Sequence, residues 1–129
     1  MTLGAGRPTA YAPPMPTTVL IVEDEPLIAM MLEDFLGEMG KTVIGPADSC
    51  AQALALIAKG GIDAAILDVN LRGGETSDPI ADALAAAGIP FLFASGGSGD
   101  GVEGPHSNRP VLAKPFTMEA VARALEALG

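Results

Sequence analysis

The chain has 129 residues, 49 % of them hydrophobic, and a formal net charge of -9. That length suits one domain with a real core, and the acidic balance argues against binding a phosphate backbone while remaining compatible with a cation or a basic protein partner. No apolar run approaches a membrane span, no apolar stretch follows the early Arg7 to make a signal peptide, and one cysteine, Cys50, cannot form an internal disulfide, which suits a reducing cytosol.

Residues 1–16, rich in Gly, Ala and Pro and without periodicity, read as a disordered tail. Residues 17–129 read as one domain. Thr17 to Val22 is β-branched and then continuously apolar, the pattern of a buried parallel strand. Glu23-Asp24-Glu25 follows, and Pro26 opens a helix to about Met39 with Ile28, Met31, Phe35 and Met39 as its inward face. Thr42 to Gly45 is a second short strand. Ser49 and Gln52 make a capping box for a helix through about Lys59, with Leu54, Ile57 and Ala58 inward. Cys50, in its first turn, reads as an inert small residue.

Ala64-Ala65-Ile66-Leu67 has the length of a buried strand and ends abruptly at Asp68, before the turn residues Arg72-Gly73-Gly74. Asp78-Pro79 reads as N-cap and first position of a third helix, with Ile80, Ala83, Leu84 and Ala87 inward and Glu75 and Asp82 solvated. Ile89 to Ala94 is a fourth strand, ended by Ser95. The Gly-rich segment that follows argues against a stable fourth helix, so that helix is expected to be short, irregular or absent. His106, within it, reads as solvated and without a role. Val111 to Ala113 is a fifth strand, ended by Lys114-Pro115. Thr117 caps a last helix whose core face is Val121, Leu125 and Leu128, with Glu119 near its N-terminus.

Strands alternating with helices imply a doubly wound parallel sheet. In such a sheet all strands point one way, so the residues just past each strand share one edge, where open α/β sheets bind ligands. Here they are Glu23, Asp24, Asp68, Ser95 and Lys114. A strand-ending Asp is most often a turn residue, and each side chain alone says little. Together they set three carboxylates, a hydroxyl and an ammonium side by side. The chemistry that needs this set is phosphoryl transfer to a carboxylate, with Asp68 as nucleophile. Crowded carboxylates favour a cation, and Mg²⁺ fits oxygen ligands from Asp24 and Asp68, with Glu23 acting directly or through water and the carbonyl of Asn70 as a further ligand. Mg²⁺ and Lys114 neutralise the phosphoryl oxygens, and the Ser95 hydroxyl donates to a phosphoryl oxygen after transfer, a bond that draws its loop inward and serves as the switch.

The motifs VLIVEDE, ILDVNLRGG, FLFASGG and AKPF, in that order over about Thr17 to Leu128, resemble the receiver domain of two-component response regulators. The resemblance implies a flavodoxin-like five-stranded sheet in order 2-1-3-4-5, a cis bond between Lys114 and Pro115, and Asp68 as phosphoacceptor with Mg²⁺ as cofactor. It also implies a histidine kinase or phosphotransfer protein as donor, with self-catalysed phosphorylation and dephosphorylation rather than turnover of an outside substrate. Two departures stand out: Val111 occupies the place of the family's switch aromatic, and the fourth-helix region is Gly-rich. Both, with PFLFASGG, resemble the single-domain "FAT GUY" receivers of alphaproteobacteria, a group associated with HWE-type kinases and general stress signalling. The expectation is a cytoplasmic, stand-alone receiver acting by protein contact or as a phosphate sink, with no nucleic acid or membrane partner. The alternatives are a receiver segment of a hybrid kinase or larger regulator, and an aspartate-nucleophile phosphatase. The last lacks the second Asp such enzymes carry two residues on, where this chain has Asn70.

Overall fold

The computed structural model describes residues 17–69, 71, 76–96, 106 and 108–128. Five strands, β1 (Thr18–Val22), β2 (Thr42–Ala47), β3 (Ala64–Asp68), β4 (Phe91–Ser95) and β5 (Val111–Ala113), alternate with helices α1 (Pro26–Glu38), α2 (Cys50–Lys59) and α3 (Asp78–Ala86). A last helix, α4 (Met118–Leu128), follows β5. The strands pair in the order β2-β1-β3-β4-β5, as the receiver resemblance implies, and every pair is parallel, as the alternation of strands and helices predicts. The bond between Lys114 and Pro115 is cis, and so is that between Gly45 and Pro46.

Continuous apolar runs make the central strands because both faces of the sheet are covered. Alternate residues supply two cores. Leu20, Val22, Leu67, Phe91 and Phe93 pack against Ala53 of α2 and Ile80, Ala81 and Leu84 of α3. Val19, Ile21, Ile66, Leu92 and Ala94 pack on the other face against Leu32 and Leu36 of α1 and Val121 and Leu125 of α4. Asp63, at the turn into β3, fastens the start of β1: its carboxylate accepts from the Thr17 hydroxyl at 2.8 Å and from the Thr18 N–H at 3.0 Å. Those hydrogen bonds, the hydroxyl's first, hold its pKa below the ordinary value.

Several helix faces differ from the sequence reading. In α1 the buried line is Ala29, Leu32 and Leu36, while Ile28, Met31, Phe35 and Met39 pack only partly. The segment is apolar nearly all round, so spacing alone admitted two stripes, and the sheet selects the other one. In α2, Ala53 is buried with Leu56 and Ile57 against it, whereas Leu54 and Ala58 are exposed. The Ser49 cap is present, its Oγ accepting from the Gln52 N–H at 3.2 Å, but the return bond of the box falls one residue earlier: Gln52 Oε1 accepts from the Asp48 N–H at 2.9 Å. In α3 the N-cap position falls to Ser77, not Asp78, and Ala81 replaces Ala87 on the buried face. Ser77 Oγ donates to the Val69 carbonyl at 3.2 Å, which ties the helix start to the end of β3. The Thr117 cap stands, its Oγ1 accepting from the Ala120 N–H at 3.1 Å.

His106 also differs, whereas Asp82 is exposed as read. His106 is 7 % exposed, not solvated. Its Nε2 lies 2.7 Å from Asp82 Oδ1, and the ring meets Phe91 edge-on at 5.5 Å. An exposed carboxylate on α3 thus satisfies a buried ring nitrogen. Between β4 and β5, helical structure among the described residues is one 3-10-type turn, closed by the Arg109 N–H on the His106 carbonyl at 3.1 Å. The rest of that connection, the tail 1–16, Asn70 and Glu75 lie outside the described residues. Among the described residues no helix is long and apolar enough to cross a membrane.

The α1 assignment is testable by a pair of truncations. Leu32→Ala should cost about 2–5 kcal/mol in urea unfolding, as a buried Leu does. Leu27→Ala, at a side chain 77 % exposed, should change stability by less than about 0.5 kcal/mol.

Candidate functional site

The register of the sheet assembles the site. Val22 faces Leu67, so Glu23 is level with Asp68. Asp68 faces Ala94, one residue before Ser95. Ser95 faces Ala113, one residue before Lys114. The Lys114 N–H donates to the Ser95 carbonyl at 2.8 Å, extending the ladder by one bond past β5. The ends of β1, β3, β4 and β5 therefore place Glu23, Asp68, Ser95 and Lys114 along one line at the sheet edge, as the sequence predicts.

Lys114 Nζ lies 2.9 Å from Glu23 Oε1 and 3.4 Å from Asp68 Oδ2. The Glu23 side chain is 1 % exposed, and those of Lys114 and Asp68 are 12 %. Glu23 Oε2 accepts from the Glu25 N–H at 3.1 Å. Oxygen atoms of Glu23, Asp24 and Asp68 all lie within 4.8 Å of one another. Burial raises the Glu23 pKa, with the Asp68 charge adding to it and the Lys114 contact opposing. Burial alone lowers the Lys114 ammonium, but its contacts with Glu23 and then Asp68 outweigh this and raise it. Lys114 accordingly keeps its positive charge through neutral pH.

Glu23 Oε1 is fully buried and faces the Lys114 ammonium at 2.9 Å, one positive charge for a group of three carboxylates. A buried carboxylate oxygen left in that state, beside two more carboxylates, is suited to a hard cation. The donor set fits Mg²⁺.

Ser95 ends β4 and is 7 % exposed. Asn70 lies outside the described residues. Val111, in the place of the switch aromatic, is a small side chain 49 % exposed. Two features escaped the sequence reading. Glu23, there a direct or water-bridged ligand, holds the shortest contact to Lys114; its signal was its place directly after a fully apolar strand. A cleft of about 330 Å³ opens beside the site between Ile28 and Met31 of α1 and Lys114, Pro115 and Phe116. No local motif announces it, because its walls come from opposite ends of the chain.

Removing the ammonium should expose the cost of this crowding. Without metal, Lys114→Ala should lose on the order of 3 kcal/mol at neutral pH, since two carboxylates are left facing each other in a buried site. The folded pKa of Glu23 is above its ordinary 4.5, so folding takes up a proton there. That contribution is present below 4.5 and is lost as pH rises through the folded value. The deficit of Lys114→Ala should therefore shrink on acidification, as read by urea midpoints across pH in a chelator. A deficit that grew toward acid would contradict the assignment.

Residues 19–85 match the family model for the response regulator receiver domain. The chain is 66 % identical to SdrG from Sphingomonas melonis Fr1, covering 87 % of this chain and 95 % of that one at a TM-score of 0.80. SdrG in its BeF3-activated conformation aligns at a TM-score of 0.75, with 66 % identity over 86 % of this chain and 94 % of that one. The phyllosphere-induced regulator PhyR of Methylorubrum extorquens is 37 % identical over 91 residues, 69 % of this chain. The chain spans about a third of PhyR's length, 33 %. With four motifs on one sheet edge and these likenesses together, the chain belongs to the response regulator receiver domain family.

Proposed function

We propose that Asp68 accepts a phosphoryl group from the phosphohistidine of a histidine kinase or phosphotransfer protein, and that the phosphorylated domain signals by protein contact or drains phosphate from a relay. The observation that carries this is the Lys114 ammonium held 3.4 Å from Asp68 and 2.9 Å from Glu23, within a group of three carboxylates.

In the transfer, an Asp68 carboxylate oxygen forms a bond to phosphorus while the bond from phosphorus to the donor imidazole nitrogen breaks, its electron pair staying on nitrogen. Asp24 and Asp68 would hold Mg²⁺, with Glu23 bound directly or through water and the Asn70 carbonyl as a further ligand. Bound there, Mg²⁺ supplies charge neutralisation for the phosphoryl oxygens. Lys114 supplies the same from the other side, exchanging its hold on Asp68 for a phosphoryl oxygen. The Ser95 hydroxyl donates to another of these oxygens, which draws the end of β4 inward and gives partners a changed surface. The domain catalyses both its own phosphorylation and its hydrolysis and turns over no other substrate.

The receiver unit in this reading is 17–129. The likeness to SdrG, and to the PhyR stress response regulator, supports a place in bacterial stress signalling. An HWE-type kinase is the proposed donor class and the cytoplasm the proposed setting.

Incubation with Mg²⁺ and a small acyl phosphate should add one phosphoryl group by intact-protein mass. Asp68→Asn should abolish the gain, and chelation should block it. An undiminished gain in Asp68→Asn would refute the acceptor assignment.

A further inference from the structure

An irregularity in β2 lies outside the chemistry just described. Leu20 faces Ile44, and a regular parallel ladder would set Val22 opposite Pro46. Val22 instead faces Ala47, so β2 holds one extra residue. Gly45 makes room for it. Its φ is +96°, and a Cβ there would stand 2.8 Å from the Ile21 carbonyl oxygen and 2.8 Å from the Ala47 nitrogen. Both are backbone atoms that no rotamer change can move. The other positive-φ glycines described, Gly40, Gly60, Gly61 and Gly88, have nothing within 4 Å of such a Cβ. They serve turns, whereas Gly45 serves a close approach of two strands.

The consequence reaches the sheet edge. With the extra residue absorbed, the Ala47 carbonyl accepts from the Glu23 N–H at 3.0 Å. That bond fixes the backbone of Glu23 one residue past β1. From there Glu23 Oε1 meets Lys114 at 2.9 Å and Oε2 accepts from the Glu25 N–H at 3.1 Å. Bulges commonly re-aim side chains beside functional sites.

We infer that Gly45 is a positioning residue for the acidic pair: the bulge it permits sets Glu23, and Asp24 after it, where three carboxylates can share a cation. This rests on the metal-dependent reading of the site. Gly45 itself touches neither the cation nor the phosphoryl group.

The test compares wild type, Gly45→Ala and Gly88→Ala by calorimetric Mg²⁺ titration at a temperature where all are folded by circular dichroism. Gly88 has φ +73° and open space around its Cβ position, so Gly88→Ala carries backbone strain without the clash. Both variants should lose stability. Only Gly45→Ala should bind Mg²⁺ about tenfold more weakly, the scale of losing an outer group that orients a ligand, and only it should shift the Glu23 and Asp24 amide resonances of the metal-free protein. Unchanged affinity in Gly45→Ala overturns the inference. Absent Mg²⁺ binding by wild type overturns the site reading instead. Should Gly45→Ala not fold, deletion of Pro46, which removes the extra residue, is read by the same titration: wild-type affinity there equally overturns it.

Discussion

Three carboxylates and one ammonium share the edge of a parallel sheet, and the pair of Lys114 with Glu23 keeps that arrangement tolerable. A buried Glu carboxylate is costly unless paired. The partner comes from a strand far along the chain, so this contact fastens the two ends of the sheet's active edge together. Its shortfall also matters. Lys114 brings one positive charge to three carboxylates, and an edge in that state has capacity for a further positive charge. Cation binding and phosphoryl neutralisation then draw on the same local imbalance.

The rest of the fold serves this edge through register. Parallel pairing admits little slippage here, because a one-residue slip sends every side chain to the opposite face and into the other core, where the packing does not match. The alternation that sorts Leu20, Val22 and Leu67 to one core and Ile21 and Ile66 to the other therefore also fixes Glu23 level with Asp68. The place where the ladder is irregular, β2, lies beside β1 and ends at the acidic pair. There the chain combines a positive-φ glycine and a proline that cannot donate to the ladder, and the bulge passes both.

The alternation of strands and helices and the gathering of Glu23, Asp24, Asp68, Ser95 and Lys114 were legible in the sequence because each depends on chain direction and on where apolar runs stop, whereas the strand order came from the family resemblance. What was not legible depends on contact between distant segments. The face of α1 was ambiguous because apolar residues nearly encircle it, and only the sheet chooses Leu32 and Leu36. His106 looked solvated between Pro105 and Ser107, yet a carboxylate on α3 and the edge of Phe91 make a buried berth for it. The Glu23 contact with Lys114 joins residues from opposite ends of the chain, and nothing in the run Thr42 to Ala47 announces the bulge beside it except a Gly-Pro pair.

The measurement that bears most directly on the account is a crystal structure with Mg²⁺ and beryllium fluoride, a stand-in for the phosphoryl group. The account places beryllium on an Asp68 oxygen, the metal roughly 2.0–2.1 Å from oxygens of Asp24 and Asp68, and Lys114 Nζ and the Ser95 hydroxyl on fluorine atoms. Beryllium on any other carboxylate, or a Lys114 still closed on Asp68 with the fluoride bound, would contradict it.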